Sequence, residues 1–243
     1  MKPFLLLASR AEDAAAENEY EAYLRYTGLV EAQLRRVRME SAPLPALELS
    51  DYSGVIVGGS PFTSSDPAEH KSEVQHRVER ELFALLDRIV AEDFPFLGAC
   101  YGVGTLGLHQ GAVIDRTYGE GLGGVTVRQT KAGQQDPLLR GLPERFTAFV
   151  GHKEACTVLP GGAVLLASSE TCPVQMFRIR SNLYATQFHP ELDVDGLTTR
   201  IDIYRHAGYF PPDSAEELMA QAREHNVTEP MAILRNFVER YAR

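Results

Sequence analysis

Residues 94–104 read FPFLGACYGVG, and this stretch restricts the fold more tightly than any other. An apolar run leads into Gly98, Cys100 and Gly102. GxCxG is the sulfur counterpart of the GxSxG elbow, in which a strand turns sharply into a helix with the reactive atom at the apex. Gly98 and Gly102 lack Cβ atoms, so strand and helix can approach closely while Cys100 takes a strained turn conformation. The thiol then sits at a helix N-terminus, where unpaired N–H groups and partial positive charge favour a thiolate. Taken alone, the pattern also describes a buried free cysteine beside a glycine-rich turn.

A second motif, ATQFHPEL at 185–192, breaks the tie. Residues 183–188 read as a short strand, so His189 falls at a strand end, where α/β proteins collect their chemistry. Pro190 biases His189 towards extended backbone, and in an extended segment residues i and i+2 share a side, which would hold the Glu191 carboxylate near the imidazole. A nucleophilic cysteine needs a base, and the base needs an acceptor that sets its tautomer. Cys100, His189 and Glu191 supply that chain of three. A lone His-Pro-Glu would read as a helix start, but it coincides here with an elbow at the end of another strand.

The rest of the chain alternates strands and helices. Residues 4–8 read as a buried strand, 12–26 as a helix, and 36–40 and 54–57 as strands. Asp66 reads as an N-cap with Pro67 at the first helical position, ahead of an amphipathic helix carrying Val74, Val78, Leu82, Leu85 and Ile89. The helix after Cys100 should end at Gly111. Between 113 and 184, shorter strands alternate with Gly and Pro turns, at 123–129, 146–150, 164–167 and 174–179, and should extend the sheet or form a hairpin layer over it. These units predict an α/β fold, a doubly wound, mostly parallel sheet with flanking helices and Cys100 at its carboxyl edge. The expected organisation is one domain over 1–243 with a helical C-terminal extension from about 197, whose stripe Ile233, Leu234, Phe237, Val238 and Tyr241 docks back on the domain.

GACYG together with QFHPE resembles the class I glutamine amidotransferases, most closely the amidotransferase domain of GMP synthetase. IVGGSP at 56–61, RTYGEG at 116–121, GHKE at 151–154 and SSETCPVQMF at 168–177 resemble further family segments in the same order. The resemblance implies a glutaminase in which Cys100 forms a glutamyl thioester with release of ammonia, His189 acts as base and then acid, and Glu191 orients it. Backbone N–H groups of Gly59 and Tyr101 would form the oxyanion hole, with Gly58, Gly104, Gly151 and His152 at the substrate. The implied partner is an ammonia-accepting synthetase subunit. Two positions depart from the family pattern: Gly104 stands where GxCxGxQ has its glutamine, and Glu154 where aspartate is common. The first departure leaves open a hydrolase of another γ-glutamyl amide, or a catalytically weak regulatory or binding subunit.

Bulk properties exclude several classes. The 243 residues, 44% hydrophobic, are enough for a substantial α/β core. A formal net charge of −9 with scattered basic residues argues against nucleic acid as a partner. The apolar stretch at 4–8 is too short for a signal peptide and no run could span a bilayer, so the expectation is a cytoplasmic chain without a membrane partner. Cys100, Cys156 and Cys172 form no close-spaced metal pair, and no metal or cofactor is expected.

Overall fold

The computed structural model describes residues 1–206 and 210–243; residues 207–209, part of the segment expected as a helical extension, lie outside them. The parallel half of the sheet comes first. Strand β1 (Phe4–Ala8) is followed by helix α1 (Asp13–Thr27), β2 (Leu34–Arg38), β3 (Val55–Val57), α2 (Glu73–Glu92), β4 (Phe96–Ala99) and α3 (Tyr101–His109). β1, β3 and β4 are apolar and buried along their whole length, as strands covered by helices on both faces must be.

The antiparallel half follows: β5 (Val113–Asp115), β6 (Glu120–Gln129), β7 (Arg145–His152), β8 (Ala155–Val158), β9 (Val164–Ser168), β10 (Met176–Ile179) and β11 (Leu183–Thr186). The nine-stranded sheet has the order β2-β1-β3-β4-β11-β10-β9-β6-β7, and β5 pairs with β8 in a separate ribbon. β11 runs parallel to β4, with Ala185 opposite Gly98 and Thr186 opposite Ala99. That register brings the segment after β11 level with the elbow. Helices α4 (Val194–Ile203), α5 (Ala215–Arg223) and α6 (Met231–Tyr241) complete the chain.

Several boundaries differ from the sequence reading for local reasons. α2 is capped by Ser72, whose Oγ accepts the Gln75 N–H at 3.1 Å, so Asp66 and Pro67 precede a short turn instead. Val74 lies outside the buried stripe, being 39% exposed, and the stripe runs through Val78, Leu82, Leu85, Leu86 and Ile89. Truncating Leu82 to Ala would cost about 2–5 kcal/mol. α3 ends at His109, with Gly111 just beyond its cap at φ +86°. The stripe on α6 is buried, and α6 packs on α1 and beneath β1, Phe237 lying 5.8 Å from Phe4 between ring centroids.

The elbow is strained where the sequence says it should be. Cys100 has φ +52° and ψ −86°, a conformation that L residues rarely adopt. It is held by the bond from Cys100 N–H to the Thr186 carbonyl, 2.7 Å. The two glycines have unequal tasks. A Cβ on Gly98 would fall 2.7 Å from the Gly102 Cα, whereas one on Gly102 would come no nearer than 4.0 Å to Val57 O. Gly98 is therefore the position that requires glycine for strand and helix to touch.

Candidate active site

Four parallel strands deliver four groups side by side at their carboxyl ends. Arg10 follows β1, Gly58 and Gly59 follow β3, Cys100 follows β4 and His189 follows β11. The chain visits β2 and β3 on opposite sides of β1, so this row includes the switch point of the sheet, where open α/β sheets form their crevices.

The structure brings His189 and Glu191 together. His189 Nδ1–H donates to Glu191 Oε1 at 2.9 Å. The contact is made in a turn, closed by Leu192 N–H donating to the His189 carbonyl at 3.3 Å, and not by the extended alternation expected from the sequence. Burial by itself would lower the His189 pKa, but the charge of Glu191, then that of Cys100, and hydrogen bonds to both raise it to about 9. Glu191 is held well below the usual carboxylate range: burial opposes ionisation, and His189 and Arg200 overcome it.

Glu191 Oε1 also accepts from Arg200 Nη1 at 3.0 Å, and behind this pair lies a buried charge network that the sequence reading did not identify. Arg200 reaches within 3.9 Å of Glu19, and Arg10 Nε donates to Glu19 at 2.9 Å. Arg10 Nη1 donates to the Tyr204 hydroxyl at 3.2 Å. All four ions are nearly or wholly buried. Arg200 and Tyr204 belong to the C-terminal segment, where the sequence reading placed no site residue. For Arg200 the only sequence signal is a charge at a core-facing helical position. For Arg10 it is a charge placed straight after an apolar strand.

The backbone N–H groups of Gly59 and Tyr101 meet no acceptor among the described residues. Tyr101 N–H opens α3 and so has no partner one turn back. A Cβ on Gly59 would lie 2.7 Å from both Arg10 Nη2 and His189 Cε1, so a side chain there would collide with the site itself.

Two cavities meet at Cys100. The larger, about 420 Å³, is lined by Cys100, Tyr101, Gly151 and His152, together with Glu120, Lys153, Glu154 and Gln187. Its size suits a small molecule. The smaller, about 60 Å³, lies among Cys100, His189, Arg10 and Arg200. The four residues expected at the substrate fall in different places. Gly151 lines both cavities. Gly58 faces away from them, against the Glu19 carboxylate, where a Cβ would lie 2.7 Å from Oε2. Gly104 is covered, since a Cβ there would meet Ser64 Oγ at 2.6 Å and Glu154 Oε1 at 2.7 Å. The longer Glu154 thus fills the space that a side chain at 104 would need, and its carboxylate accepts the Ser64 and Ser65 N–H groups at 2.8 and 2.6 Å. His152 contributes its ring to the cavity wall but spends both nitrogens inside the protein, Nδ1 on the Glu154 carbonyl and Nε2 on Glu120 Oε2, each at 2.8 Å. Its hydrogen bonds hold the wall instead of a ligand.

Cys172 completes a second group with Glu120 and His152, their ligand atoms all within 4.8 Å of one another. Sequence spacing could not reveal it, since the three come from β6, β7 and the loop before β10. Glu120 accepts from His152, Thr171 and Gln175. Burial pushes the Cys172 thiol up to about 12, and Sγ–H donates to the Val174 carbonyl at 3.5 Å. These donors are bonded to one another and to their neighbours, which is a poor starting point for a metal.

No helix among the described residues is long and apolar enough to cross a membrane. Comparison with known proteins gives a consistent result. Residues 17–200 match the family Glutamine amidotransferase class-I. A GMP synthase (glutamine-hydrolyzing) subunit of Thermoplasma volcanium is 36% identical over 114 residues, 46% of this chain and 55% of that protein. The subunit of the same name from Thermococcus kodakarensis is 29% identical over 184 residues, 75% of this chain and 86% of that protein. The chain spans about half the length of the first curated relatives it matches, 55% and 52%. Among solved structures, a glutamine amidotransferase from Thermotoga maritima superposes with a TM-score of 0.77 at 22% identity, covering 99% of this chain and 98% of that one, a likeness of fold.

Proposed function

Because this chain belongs to the class-I glutamine amidotransferase family, we propose that it hydrolyses the side-chain amide of glutamine to glutamate and ammonia through a thioester on Cys100. The observation that carries the reading is the meeting, in one cleft, of a strained half-buried cysteine, the His189–Glu191 pair and the two free N–H groups of Gly59 and Tyr101.

In this reading the Cys100 thiolate attacks the carboxamide carbon. The S–C bond forms, and the carbonyl π pair moves to oxygen beside the Gly59 and Tyr101 N–H groups. His189, kept as imidazolium by Glu191 and Cys100, gives a proton to the leaving nitrogen as the C–N bond breaks and ammonia departs. Water then adds to the thioester, passing a proton to His189, and collapse returns the thiolate and frees glutamate. The ammonia acceptor is proposed to be a synthetase subunit, since relatives of this chain carry names that make them subunits of GMP synthase. In the domain arrangement we favour, 1–243 acts as one unit, because α4 supplies Arg200 to Glu191 and α6 packs on α1.

A second reading is favoured by one observation. Glu154 and Ser64 close over Gly104, so the wall presents a carboxylate where the family pattern has an amide, and this suits a different γ-glutamyl amide. Both readings are tested by incubating the protein with glutamine and with γ-glutamyl amides, both by itself and with a candidate synthetase, and measuring glutamate release. Mass spectrometry of acid-quenched protein should show a glutamyl adduct on Cys100. A strong preference for a larger amide would replace the first reading with the second, and turnover by Cys100→Ser would overturn both.

A further inference from the structure

Arg10 is the group at the strand ends that the mechanism above leaves unused. Two of its three nitrogens are committed, Nε to Glu19 at 2.9 Å and Nη1 to the Tyr204 hydroxyl at 3.2 Å. Nη2 has no acceptor among the described residues, although Arg10 is only 6% exposed. Nη2 is unpaired but not sealed from solvent, and Arg10 lines a cavity, so this charged N–H edge is available to an anion that arrives from outside the fold. The edge has a definite aim. Nη2 and His189 Cε1 both lie 2.7 Å from the point a Cβ on Gly59 would occupy, and Arg10, Cys100 and His189 line the same cavity of about 60 Å³. Glu19, wholly buried, fixes the guanidinium from behind and holds Arg10 charged despite its burial.

We propose that Arg10 is a catalytic residue of this site, its Nη2 edge donating to the anionic oxygen that forms when Cys100 attacks a carbonyl carbon. The inference rests on the reading of Cys100 as nucleophile and extends it: besides the backbone N–H groups, this chain offers the oxyanion a full positive charge. Arg10 transfers no proton. As the S–C bond forms and the π pair moves to oxygen, the guanidinium gains a charge-assisted hydrogen bond that the neutral carbonyl makes only weakly, which favours the transition state over the bound amide. The ligand class is a carbonyl compound that becomes anionic next to the sulfur, and small carboxylates should share the affinity.

The test uses a pair of alkylating agents of similar size, anionic iodoacetate and neutral iodoacetamide, with modification of Cys100 followed by mass spectrometry. In the unaltered protein the rate ratio of iodoacetate to iodoacetamide should exceed that of 2-mercaptoethanol by about tenfold or more. Lys153 and Arg116 line the larger cavity and His189 the smaller, so the variant Arg10→Gln assigns the effect: the ratio should fall by about tenfold while the iodoacetamide rate changes little. A loss of packing alone would slow or speed both reagents together. Arg10→Gln leaves Glu19 without its nearest cation, so Arg10→Gln/Glu19→Gln, which removes both charges at nearly constant volume, provides the same readout in a neutral core. Glutamate release by either variant should drop by about tenfold to a hundredfold in kcat/KM. A ratio in the unaltered protein no higher than that of mercaptoethanol overturns the proposal without any variant, as does an unchanged ratio in either folded variant. Inert glutamine together with the expected reagent selectivity would instead reject glutamine as substrate and leave the role of Arg10 standing.

Discussion

Two Cys–His–Glu groupings adjoin one cavity in this molecule, and they differ in almost everything except composition. Cys100 sits at φ +52° at a strand end, half-buried, with His189 bonded to Glu191 beside it. Cys172 is wholly buried, its thiol pushed up to about 12, and its neighbours His152 and Glu120 are bonded within the wall. Glu120 is held below its ordinary range because bonds from His152 and Thr171 outweigh the effect of burial. Burial raises the thiol in the second group and leaves it out of reach. In the first, an elbow presents the sulfur to a cavity. In the proposed reading, access and backbone geometry, and not residue type, set the nucleophile apart.

The largest effect expected is the one that breaks the comparison outright. Cys100→Ser should lower glutamate release by about 10⁴-fold or more, while Cys172→Ser should keep turnover within about threefold and lose about 1–2 kcal/mol of stability from a buried hydroxyl. Steady-state assays with both variants would reverse the assignment of the two groups should Cys172→Ser be the inactive one.

Next comes the pH dependence of stability. The folded His189 pKa lies near 9, above its ordinary value of 6.5, so its coupling to Glu191 and Cys100 adds stability that is full below about pH 6.5 and is lost as pH rises through about 9. The span corresponds to roughly 3 kcal/mol. Denaturant titrations at about pH 6 and about pH 9.5 should show this loss, and His189→Gln should remove most of it.

Glu191→Gln removes the strongest of the influences that raise His189, so the alkaline limb of kcat/KM, expected near pH 9, should move to lower pH and the rate should fall by about a hundredfold. Glu120→Gln alters the same kind of pair in the second group and should leave that limb in place. A limb that moved with Glu120 would tie the second group to the chemistry.

The smallest effect sharpens the boundary between the groups, at the wall they share. Gly104→Gln should cost about tenfold in kcat/KM, because its side chain meets Glu154 and Ser64, and Glu154→Asp in the same chain should restore part of the loss by freeing space. A loss in the double variant equal to the product of the losses of Gly104→Gln and Glu154→Asp measured separately would show that the two positions act independently.

How much was legible depended on the range of the interaction. The β1 bounds, the elbow, the cap at Gly111 and the buried stripe on α6 follow from local pattern, and the structure has them where the sequence puts them. The start of α2 was misread because two good N-cap signals compete within seven residues, and only the bond from Gln75 N–H to Ser72 decides between them. At the site, Cys100, His189 and Glu191 were visible as motifs. Gly58, expected at the substrate, packs instead on Glu19, which α1 brings up behind the sheet. His152, expected to bind substrate, has both nitrogens engaged by partners on other strands and turns.

The sequence by itself determined the sharp strand-to-helix turn, the cysteine at its apex and the pairing of a histidine with a carboxylate two residues on, because each of these depends on neighbours along the chain and on residues with restricted backbones. Only the tertiary structure decided which of two cysteines faces a cavity, that Glu154 closes over Gly104, and that Arg10, Glu19 and Arg200 line up behind the imidazole. These contacts join residues far apart along the chain, 194 positions in the case of Arg10 and Tyr204. Their energies are set by burial and by the directions of side chains from separate strands and helices, and neither quantity exists until the sheet has assembled.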